Sequence, residues 1–237
     1  MSSARVASWN VLADAYARPG WFPGVDPALF APGARHGAIA GVLDRLDADV
    51  VLLQEAEPAL LDSLTAWRVE FAQQTGKPDG CAILVRGRWS VRESRTLHYA
   101  GQVSRLAQIA TLVTPDGRTL TAVNTHLEYT PLGVIGGQQA TELARALPNG
   151  PLVLGGDLND APGGPARTAL ASVGVSGMDY AEPTSLFGGR EFRALDVLGA
   201  RGAQLDVLES PFVVERAVPT LQCPSDHVPV RGLLHLP

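Results

Sequence analysis

The segment PLVLGGDLND, residues 151–160, joins a short apolar run to a polar terminus. Gly, Asn and Asp are common turn residues, so this terminus can be a plain turn. The alternative is a buried strand that ends at a cleft and carries a carboxylate and an amide into it. Asp157 and Asn159 are two residues apart, and such residues project to the same face of an extended chain. A plain turn does not need this pair, so the sequence favours the cleft.

Three other residues of the segment have expected structural roles. Gly155 and Gly156 are expected to let the backbone pass close to neighbouring strands, because glycine in a strand often marks such an approach. Asp160 would point away from the cleft, and we interpret it as a turn or cap residue.

Apolar runs typical of strands alternate with helical segments along the chain. His36–Leu46 has apolar side chains at helical spacing, and 48–57 is a nearly continuous apolar strand that runs into acids. The turn at 115–117 joins two strands within 106–127. No repeat or linker is visible, so the pattern predicts one α/β domain over residues 1–237. Further strands are predicted within 80–87, 151–160, 192–200 and 227–236, and further helices within 136–147 and 163–173.

The composition is that of a globular protein. Hydrophobic residues make up 46% of the 237 residues and charged residues 18%. No apolar stretch approaches the roughly 20 residues that cross a bilayer, and the N-terminus lacks a secretory signal. We therefore expect a soluble, cytoplasmic protein without membrane association. The net charge of −5 argues against a large basic surface for long duplexes. Cys81 and Cys223 lack metal-ligand neighbours at short spacing.

Polar groups suited to metal and phosphate chemistry stand at five ends of strand-like runs. Asparagine is scarce in this sequence, yet three of its four copies follow strand-like apolar runs, which indicates that their amides are needed there. Strand ends converge in α/β sheets, so these groups are expected to meet in one cleft. The Pro- and Gly-rich stretch 17–37 is expected to be a surface loop that borders it. The groups are Asn10, Glu55, Asn124 with His126, Asp157 with Asn159, and Asp226 with His227.

Five short motifs follow one another along the chain: SWNVLAD, LLQEAE, NTHLE, GGDLND and PSDHVPV. In this order the sequence resembles the endonuclease/exonuclease/phosphatase superfamily over nearly its whole length. The stretches NVLAD, DGCAIL and CPSDHVPV are most similar to the deadenylase-like branch. The resemblance implies an α/β fold, namely a four-layer sandwich of two packed mixed β-sheets flanked by helices.

The resemblance also implies a metal site. Glu55 looks like the principal Mg²⁺ ligand, with Asn10 beside it and Asp226 as a neighbour in the metal site. Mg²⁺ prefers oxygen ligands and is commonly held by one or two carboxylates together with substrate phosphate. Mn²⁺ is the expected substitute.

The resemblance implies catalytic roles for five further residues. Asp157 looks like the residue that orients or deprotonates the attacking water, helped by Asn159. His126 and His227 look like the groups that hold the phosphoryl oxygens. Asp196 is similar to the family aspartate that partners the last histidine, although valine follows it where the family has tyrosine.

Three residues are candidates for substrate contact. Asn124 stands two positions before the phosphate-binding histidine in NTHLE. Arg105, at a position where the branch commonly has Asn, either contacts phosphate or forms a structural salt bridge. Tyr129 either stacks on a base or is a structural aromatic residue.

These roles describe a Mg²⁺-dependent phosphodiesterase that uses in-line attack of an activated water. The expected substrate is RNA or another single-stranded nucleic acid, cleaved at its 3′ end. One alternative is hydrolysis of terminal or 2′,3′-cyclic phosphates or of small nucleotides. Another is a non-catalytic binding module. No obligate protein partner is inferred.

Overall fold

Two mixed β-sheets pack face to face in the computed structural model, which describes residues 2–101, 104–178, 182–216 and 218–237. Helices cover the outer face of each sheet, so the layers run helix, sheet, sheet, helix. This arrangement confirms the predicted fold class.

The strands and helices are as follows. The strands are β1 (Ser2–Asn10), β2 (Val50–Ala56), β3 (Arg68–Gln73), β4 (Gly80–Val85), β5 (Ser90–His98), β6 (Leu106–Val113), β7 (Thr119–His126), β8 (Leu152–Asp157), β9 (Ser185–Phe187), β10 (Glu191–Arg193), β11 (Asp196–Arg201), β12 (Gln204–Leu208) and β13 (Val230–Leu236). The α-helices are α1 (His36–Leu46), α2 (Pro58–Ser63), α3 (Val134–Ala146) and α4 (Pro165–Ala171), and short 3₁₀ turns cover Pro27–Phe30, Pro131–Gly133 and Val214–Arg216.

The sheet order places the carboxyl ends of β1 and β2 next to each other, and likewise those of β7 and β8. The first sheet has the order β12-β13-β1-β2-β4-β3, the second has the order β11-β8-β7-β6-β5, and β9 and β10 form a separate hairpin. In each large sheet one central pair is parallel, β1 with β2 and β7 with β8, and the other neighbours are antiparallel. The carboxyl ends of the two strands in each parallel pair therefore lie side by side.

The apolar core lies in three layers. One cluster fills the space between the sheets, a second packs α1 on the first sheet, and a third packs α3 and α4 on the second. Helix α1 spans the residues that the sequence predicts and ends at Asp47, whose left-handed backbone (φ 49°) stops the helix. Representative side chains are Val6, Leu52, Ile83, Leu112 and Val153 in the first cluster, Ile39, Leu43, Trp9 and Leu53 in the second, and Val123, Leu143, Leu154 and Leu170 in the third.

Within the part of the chain that the structure describes, no helix is both long enough and apolar enough to cross a membrane.

Candidate active site

Glu55 reaches the edge of the first sheet through a break in the strand pairing. The register between β2 and β4 shifts between Leu53 and Ala56, which is a bulge, and Glu55 has a left-handed backbone with φ 56°. A bulge bends its strand and redirects a side chain, and a left-handed backbone at a non-glycine residue is costly. Asn10 Nδ2 donates to Glu55 Oε1 at 3.0 Å, and the backbone N–H of Ala13 donates to Oε2 at 3.1 Å. Both carboxylate oxygens are thereby fixed at the strand end.

The two glycines of GGDLND have the close contacts that the sequence predicts. A Cβ atom at Gly155 would lie 2.7 Å from the Cβ of Ser8, which belongs to the opposite sheet. A Cβ atom at Gly156 would clash with the backbone oxygen of Thr125 on β7. Strand β8 can therefore lie against both neighbours, and this brings Asp157 to the floor between the sheets.

The chain turns immediately after β8 and orients two side chains. The backbone N–H of Asn159 donates to Asp157 Oδ1 at 2.9 Å, and Asn159 has a left-handed backbone with φ 49°. Asn159 Nδ2 donates to the Leu127 carbonyl at 2.9 Å and lies 3.2 Å from His126 Nε2. Asp160 turns the other way, as expected, and its Oδ2 caps the first turn of α4 by accepting from the N–H of Ala166 at 2.8 Å.

His227 pairs with Asp196 across the end of β11. His227 Nδ1 lies 2.8 Å from Asp196 Oδ2, and Asp196 is fully buried. The hydroxyl of Thr184 accepts from the N–H of Asp196 at 3.1 Å, which holds the start of the strand. Trp9 Nε1 donates to the His227 carbonyl at 2.9 Å, and the N–H of His227 donates to the Ser225 hydroxyl at 3.1 Å. Hydrogen bonds therefore hold both the ring and the main chain of His227 in place.

The Asp157 carboxylate is contacted by residues from both sheets. Its Oδ2 accepts from Asn10 Nδ2 at 3.1 Å and lies 3.6 Å from His126 Nε2 and 3.9 Å from His227 Nε2. Glu55 is joined to the same group through Asn10. Residues that are 147 positions apart in the sequence, Asn10 and Asp157, are thus in direct contact.

A cavity of about 590 Å³ opens above this group of residues. Its floor contains acids and imidazoles, and its walls contain aromatic and basic side chains. The aromatic residues come partly from the loop that the sequence predicts to border the site. The floor includes Glu55, His126, Asp157, Asn159, Asp226 and His227, and the walls include Tyr16, Trp21, Phe22, Lys77, Arg105, Tyr129, Phe187 and Arg193.

Residues 7–227 match the model of the endonuclease/exonuclease/phosphatase family. The chain belongs to this family. The match covers nearly the whole chain and makes the protein a phosphoester hydrolase. No curated protein sequence matches the chain significantly.

Solved structures share the family fold. ANGEL2, described as a 2′,3′-cyclic phosphatase and solved with adenosine-2′,3′-vanadate, is 18% identical with a TM-score of 0.78, over 99% of this chain and 96% of that chain. The human Nocturnin catalytic domain with bound sulfate is 20% identical with a TM-score of 0.77, over 99% and 94%. Truncated Caenorhabditis elegans TDP2 is 19% identical with a TM-score of 0.69, over 98% of each chain. At these identities the likeness concerns the fold.

Burial makes the negative charges of three acidic residues in the site, Glu55, Asp157 and Asp226, energetically costly. Burial raises the pKa of Glu55 to about 7, against the hydrogen bond from Asn10, and the charge of Asp226 adds to the rise. Burial also raises the pKa of Asp226 and of Asp157, and in Asp157 the charge of Asp196 acts in the same direction. Carboxylate oxygens are the donors that a hard divalent cation prefers. The donor set of Glu55 and Asp226 therefore fits such an ion.

Asp157, Asp196 and His227 form a second acidic group, with potential ligand atoms within 4.8 Å of one another. This trio is less suited to a metal ion, because His227 is held in its charged form. Burial disfavours the imidazolium, but the charge and hydrogen bond of Asp196, with the charges of Asp226 and Asp157, raise the pKa of His227 well above its ordinary value. A protonated imidazole has no free lone pair for a metal.

The two imidazoles on either side of Asp157 differ in charge. Burial lowers the pKa of His126 well below its ordinary value, and the positive charges of Arg105 and His227 lower it further. Between these two pKa values, a range that includes neutral pH, His126 is neutral while His227 is charged. The cavity floor thus presents one neutral and one cationic imidazole to whatever binds between them.

The structure corrects the position expected for one predicted substrate contact. Asn124 is fully buried between the sheets and is not among the residues that line the cavity. Its Nδ2 donates to the carbonyls of Leu53 at 2.8 Å and Ala82 at 3.0 Å, and its Oδ1 accepts from Gln54 Nε2 at 2.7 Å. Asn124 therefore joins the two sheets beneath Glu55 and does not face a bound molecule.

The other two predicted contacts lie at the cavity wall. Arg105 lines the cavity and forms an ion pair with Glu128, with Nε 3.2 Å from Oε2, so both interpretations of this residue have a structural counterpart. Tyr129 is 49% exposed, more than a packed aromatic residue of the interior, and the guanidinium of Arg193 lies over its ring.

A buried arginine that the sequence does not single out supports the site. Arg35 has no exposed surface, and its guanidinium donates to the carbonyls of Val11, Leu12 and Pro224 at 3.2, 2.6 and 2.6 Å and to Asp14 Oδ1 at 2.7 Å. It therefore ties the segment that follows β1 to the segment that carries His227. The only signal in the sequence was an arginine one position before a helix, which is unremarkable by itself.

Proposed function

We propose that the protein is a Mg²⁺-dependent phosphodiesterase that cleaves RNA or another single-stranded nucleic acid at its 3′ end. The observation that carries the proposal is the position of the Asp157 carboxylate, between two imidazoles and beside Glu55, at the floor of an open cavity with aromatic walls. Acids, amides and imidazoles at one point are the set that hydrolysis of a phosphodiester requires.

The metal would be held by Glu55 and Asp226, with Asn10 beside them. Asn10 also connects the Glu55 carboxylate to the Asp157 carboxylate, because its Nδ2 donates to both. Its Oδ1 accepts from the N–H of Leu12 at 3.0 Å and retains one lone pair. When bound, the ion would polarise the phosphoryl oxygen and offset the charge that develops during in-line displacement. Mn²⁺ would substitute because it also accepts oxygen ligands.

Asp157 would take the proton from the attacking water. Its Oδ1 is occupied by the N–H of Asn159, so Oδ2 is the oxygen that faces the imidazoles. The raised pKa of this carboxylate, caused by burial and by Asp196, makes it a stronger base than an exposed aspartate. The uncharged amide of Asn159 would orient the water without repelling it.

The two histidines would hold the phosphoryl oxygens. His227 carries a positive charge at neutral pH and is fixed by Asp196, so it would stabilise the negative charge of the transition state without reorganisation. His126 would contribute one hydrogen bond from a neutral ring. A single cationic imidazole and a single neutral one avoid repulsion between the two rings.

The walls of the cavity support a nucleotide substrate. Trp21 and Tyr129 are each about half exposed and face the same space as the catalytic groups, which is an arrangement suited to stacking on bases. Arg105 would contribute positive charge beside the phosphate. The small number of basic residues in the walls suits a strand end better than a long duplex.

The test is a panel of labelled substrates with Mg²⁺ or Mn²⁺. It contains single-stranded RNA, single-stranded DNA, duplex DNA, RNA with a 2′,3′-cyclic phosphate, and bis-p-nitrophenyl phosphate. We expect shortening of single-stranded RNA from its 3′ end, and loss of that activity in EDTA. The cyclic phosphate is included because ANGEL2 shares the fold, and release of phosphate from it alone would replace the proposal with a phosphatase.

A further inference from the structure

Arg193 is a cation of the cavity wall that neither the motifs nor the proposed mechanism uses. It ends the β9–β10 hairpin and stands three residues before Asp196. Its carbonyl accepts from the N–H of Thr184 at 2.8 Å, while the Thr184 hydroxyl accepts from the N–H of Asp196. The hairpin is therefore connected through Thr184 to the aspartate that pairs with His227. Arg193 is held at a defined place beside the catalytic groups.

Two aromatic rings lie within cation–π distance of the Arg193 guanidinium. Its Cζ atom lies 4.2 Å from the ring centre of Phe187 and 5.3 Å from that of Tyr129. Trp21 extends the row, with its ring centre 5.6 Å from that of Phe187 in an edge-to-face arrangement. The guanidinium is therefore part of the aromatic wall of the cavity, in contact with Phe187 and Tyr129.

A guanidinium binds an anionic group through the N–H donors in its plane. One of these donors is engaged, because Nη2 lies 2.7 Å from Glu191 Oε2. Glu191 is mostly exposed, and an exposed ion pair of this kind contributes little to stability. The remaining donors form the planar fork that recognises phosphate, and contact with the two rings restricts where that fork can lie.

The charge of Arg193 acts within the cavity. Arg193 and Asp157 line the same cavity. The hydrogen-bonded ion pair with Glu191 raises the pKa of Arg193, and the negative charge of Asp157 acts in the same direction. Arg193 nevertheless has no hydrogen bond to the group of residues around Asp157 among the described contacts. Its position therefore matches a substrate group next to the reacting phosphorus.

We propose that Arg193 binds a second phosphate of the substrate, one that is not hydrolysed. The inference rests on the phosphodiesterase activity proposed above and gives it a substrate class: nucleotides or oligonucleotides with another phosphate beside the scissile one. That phosphate is either the neighbouring internal diester of a longer strand or a terminal monoester.

Binding and hydrolysis are measured separately. Binding of adenosine 3′,5′-bisphosphate and of adenosine 5′-monophosphate is compared by calorimetry, with Ca²⁺ in place of Mg²⁺. Hydrolysis is compared for the dinucleotide ApA, its 5′-phosphorylated form pApA and the trinucleotide ApApA. Higher kcat/KM for ApApA than for ApA identifies an internal diester as the second phosphate, whereas a preference for pApA alone identifies a terminal monoester.

The informative variants are Arg193→Gln, which removes the charge, and Arg193→Lys, which keeps the charge but loses the planar fork. The matched control is Arg190→Gln, because Arg190 lies on the same hairpin, is exposed and does not line the cavity. We expect the wild-type preference for a second phosphate to fall about 10- to 100-fold in Arg193→Gln, as for loss of a charge-assisted hydrogen bond. Arg193→Lys is expected to be intermediate and Arg190→Gln to retain the preference. Circular dichroism and thermal unfolding verify the fold of each variant.

Two results overturn the inference: a folded Arg193→Gln variant that keeps the wild-type preference, or a wild-type protein without any such preference in binding. Failure of the proposed function has a different signature, because the wild-type protein would then hydrolyse neither ApA nor bis-p-nitrophenyl phosphate. The calorimetric comparison decides the role of Arg193 in that case as well.

Discussion

Replacing Asp196 by asparagine should separate the charge of this residue from its shape. The carboxylate is fully buried, and its Oδ2 lies 2.8 Å from His227 Nδ1. Asparagine keeps an oxygen at nearly the same place and the same backbone contact with Thr184, but it removes the negative charge. Burial then acts on the imidazolium without its main opposing influence.

The size of the effect follows from the geometry. Two unit charges 2.8 Å apart attract by about 6 kcal/mol at an effective dielectric constant of about 20. Part of this attraction only compensates for burial of the imidazole, so the loss in the transition state is smaller. Removal of one preorganised electrostatic donor typically costs about 2.7–4 kcal/mol. We therefore expect kcat to fall about 10²- to 10³-fold.

The pH profile gives a second readout. In the wild-type protein the pKa of His227 is raised, so the charged ring persists until the pH rises through that elevated value. In Asp196→Asn the pKa falls, and the alkaline loss of activity should move to lower pH, toward or below about 6.5. The assay is kcat for bis-p-nitrophenyl phosphate from about pH 5 to 9, with near-ultraviolet circular dichroism as the control for the fold. If kcat of Asp196→Asn stayed within about threefold of wild type and its alkaline limb did not move, the proposed effect of the Asp196 charge on His227 would be wrong.

Three further predictions concern the metal site, the wall and the support of the site. Glu55→Gln removes a carboxylate whose pKa is raised to about 7 by burial, so in EDTA the variant should have a higher Tm than wild type at about pH 8 but not at about pH 4.5. By fluorimetry, Mg²⁺ should raise the Tm of the wild-type protein only. Tyr129→Ala should raise KM for an oligonucleotide about 5- to 100-fold, whereas Tyr129→Phe should keep it near the wild-type value, in steady-state assays. Arg35→Ala leaves buried carbonyls and Asp14 without donors and should lower the free energy of unfolding in urea by about 3–5 kcal/mol, a result that an unchanged midpoint would contradict.

The central strands were predictable because nearly all of their residues are buried and apolar. Strands β2 and β8 are buried on both faces and read as continuous apolar runs, and their polar termini follow at once. Edge strands lack this signal. Strand β5 is exposed or only partly buried along its whole length, so it shows no apolar alternation, and the sequence did not reveal it.

The site could be predicted where one strand end carries one chemical group. Asp157 and Glu55 illustrate this, because each lies at the carboxyl end of a buried strand. Asn124 shows the limit: it faces the same side of β7 as His126, but it lies two residues, or about 7 Å, deeper along the strand, where the sheets pack. Arg193 shows another limit, because its contact with Tyr129 joins residues 64 positions apart in the sequence. No local pattern records such a contact.

The proposed metal-dependent hydrolysis with Asp157 as the base is tested most directly by one comparison. It is the rate of bis-p-nitrophenyl phosphate hydrolysis by wild type and Asp157→Asn, each with Mg²⁺ and with EDTA. Asparagine preserves the hydrogen bond from the N–H of Asn159 but cannot accept the proton from water. We predict hydrolysis by the wild-type protein that EDTA abolishes, and a rate about 10²- to 10⁴-fold lower in the folded variant. A wild-type rate in Asp157→Asn, or hydrolysis that persists in EDTA, would contradict this prediction.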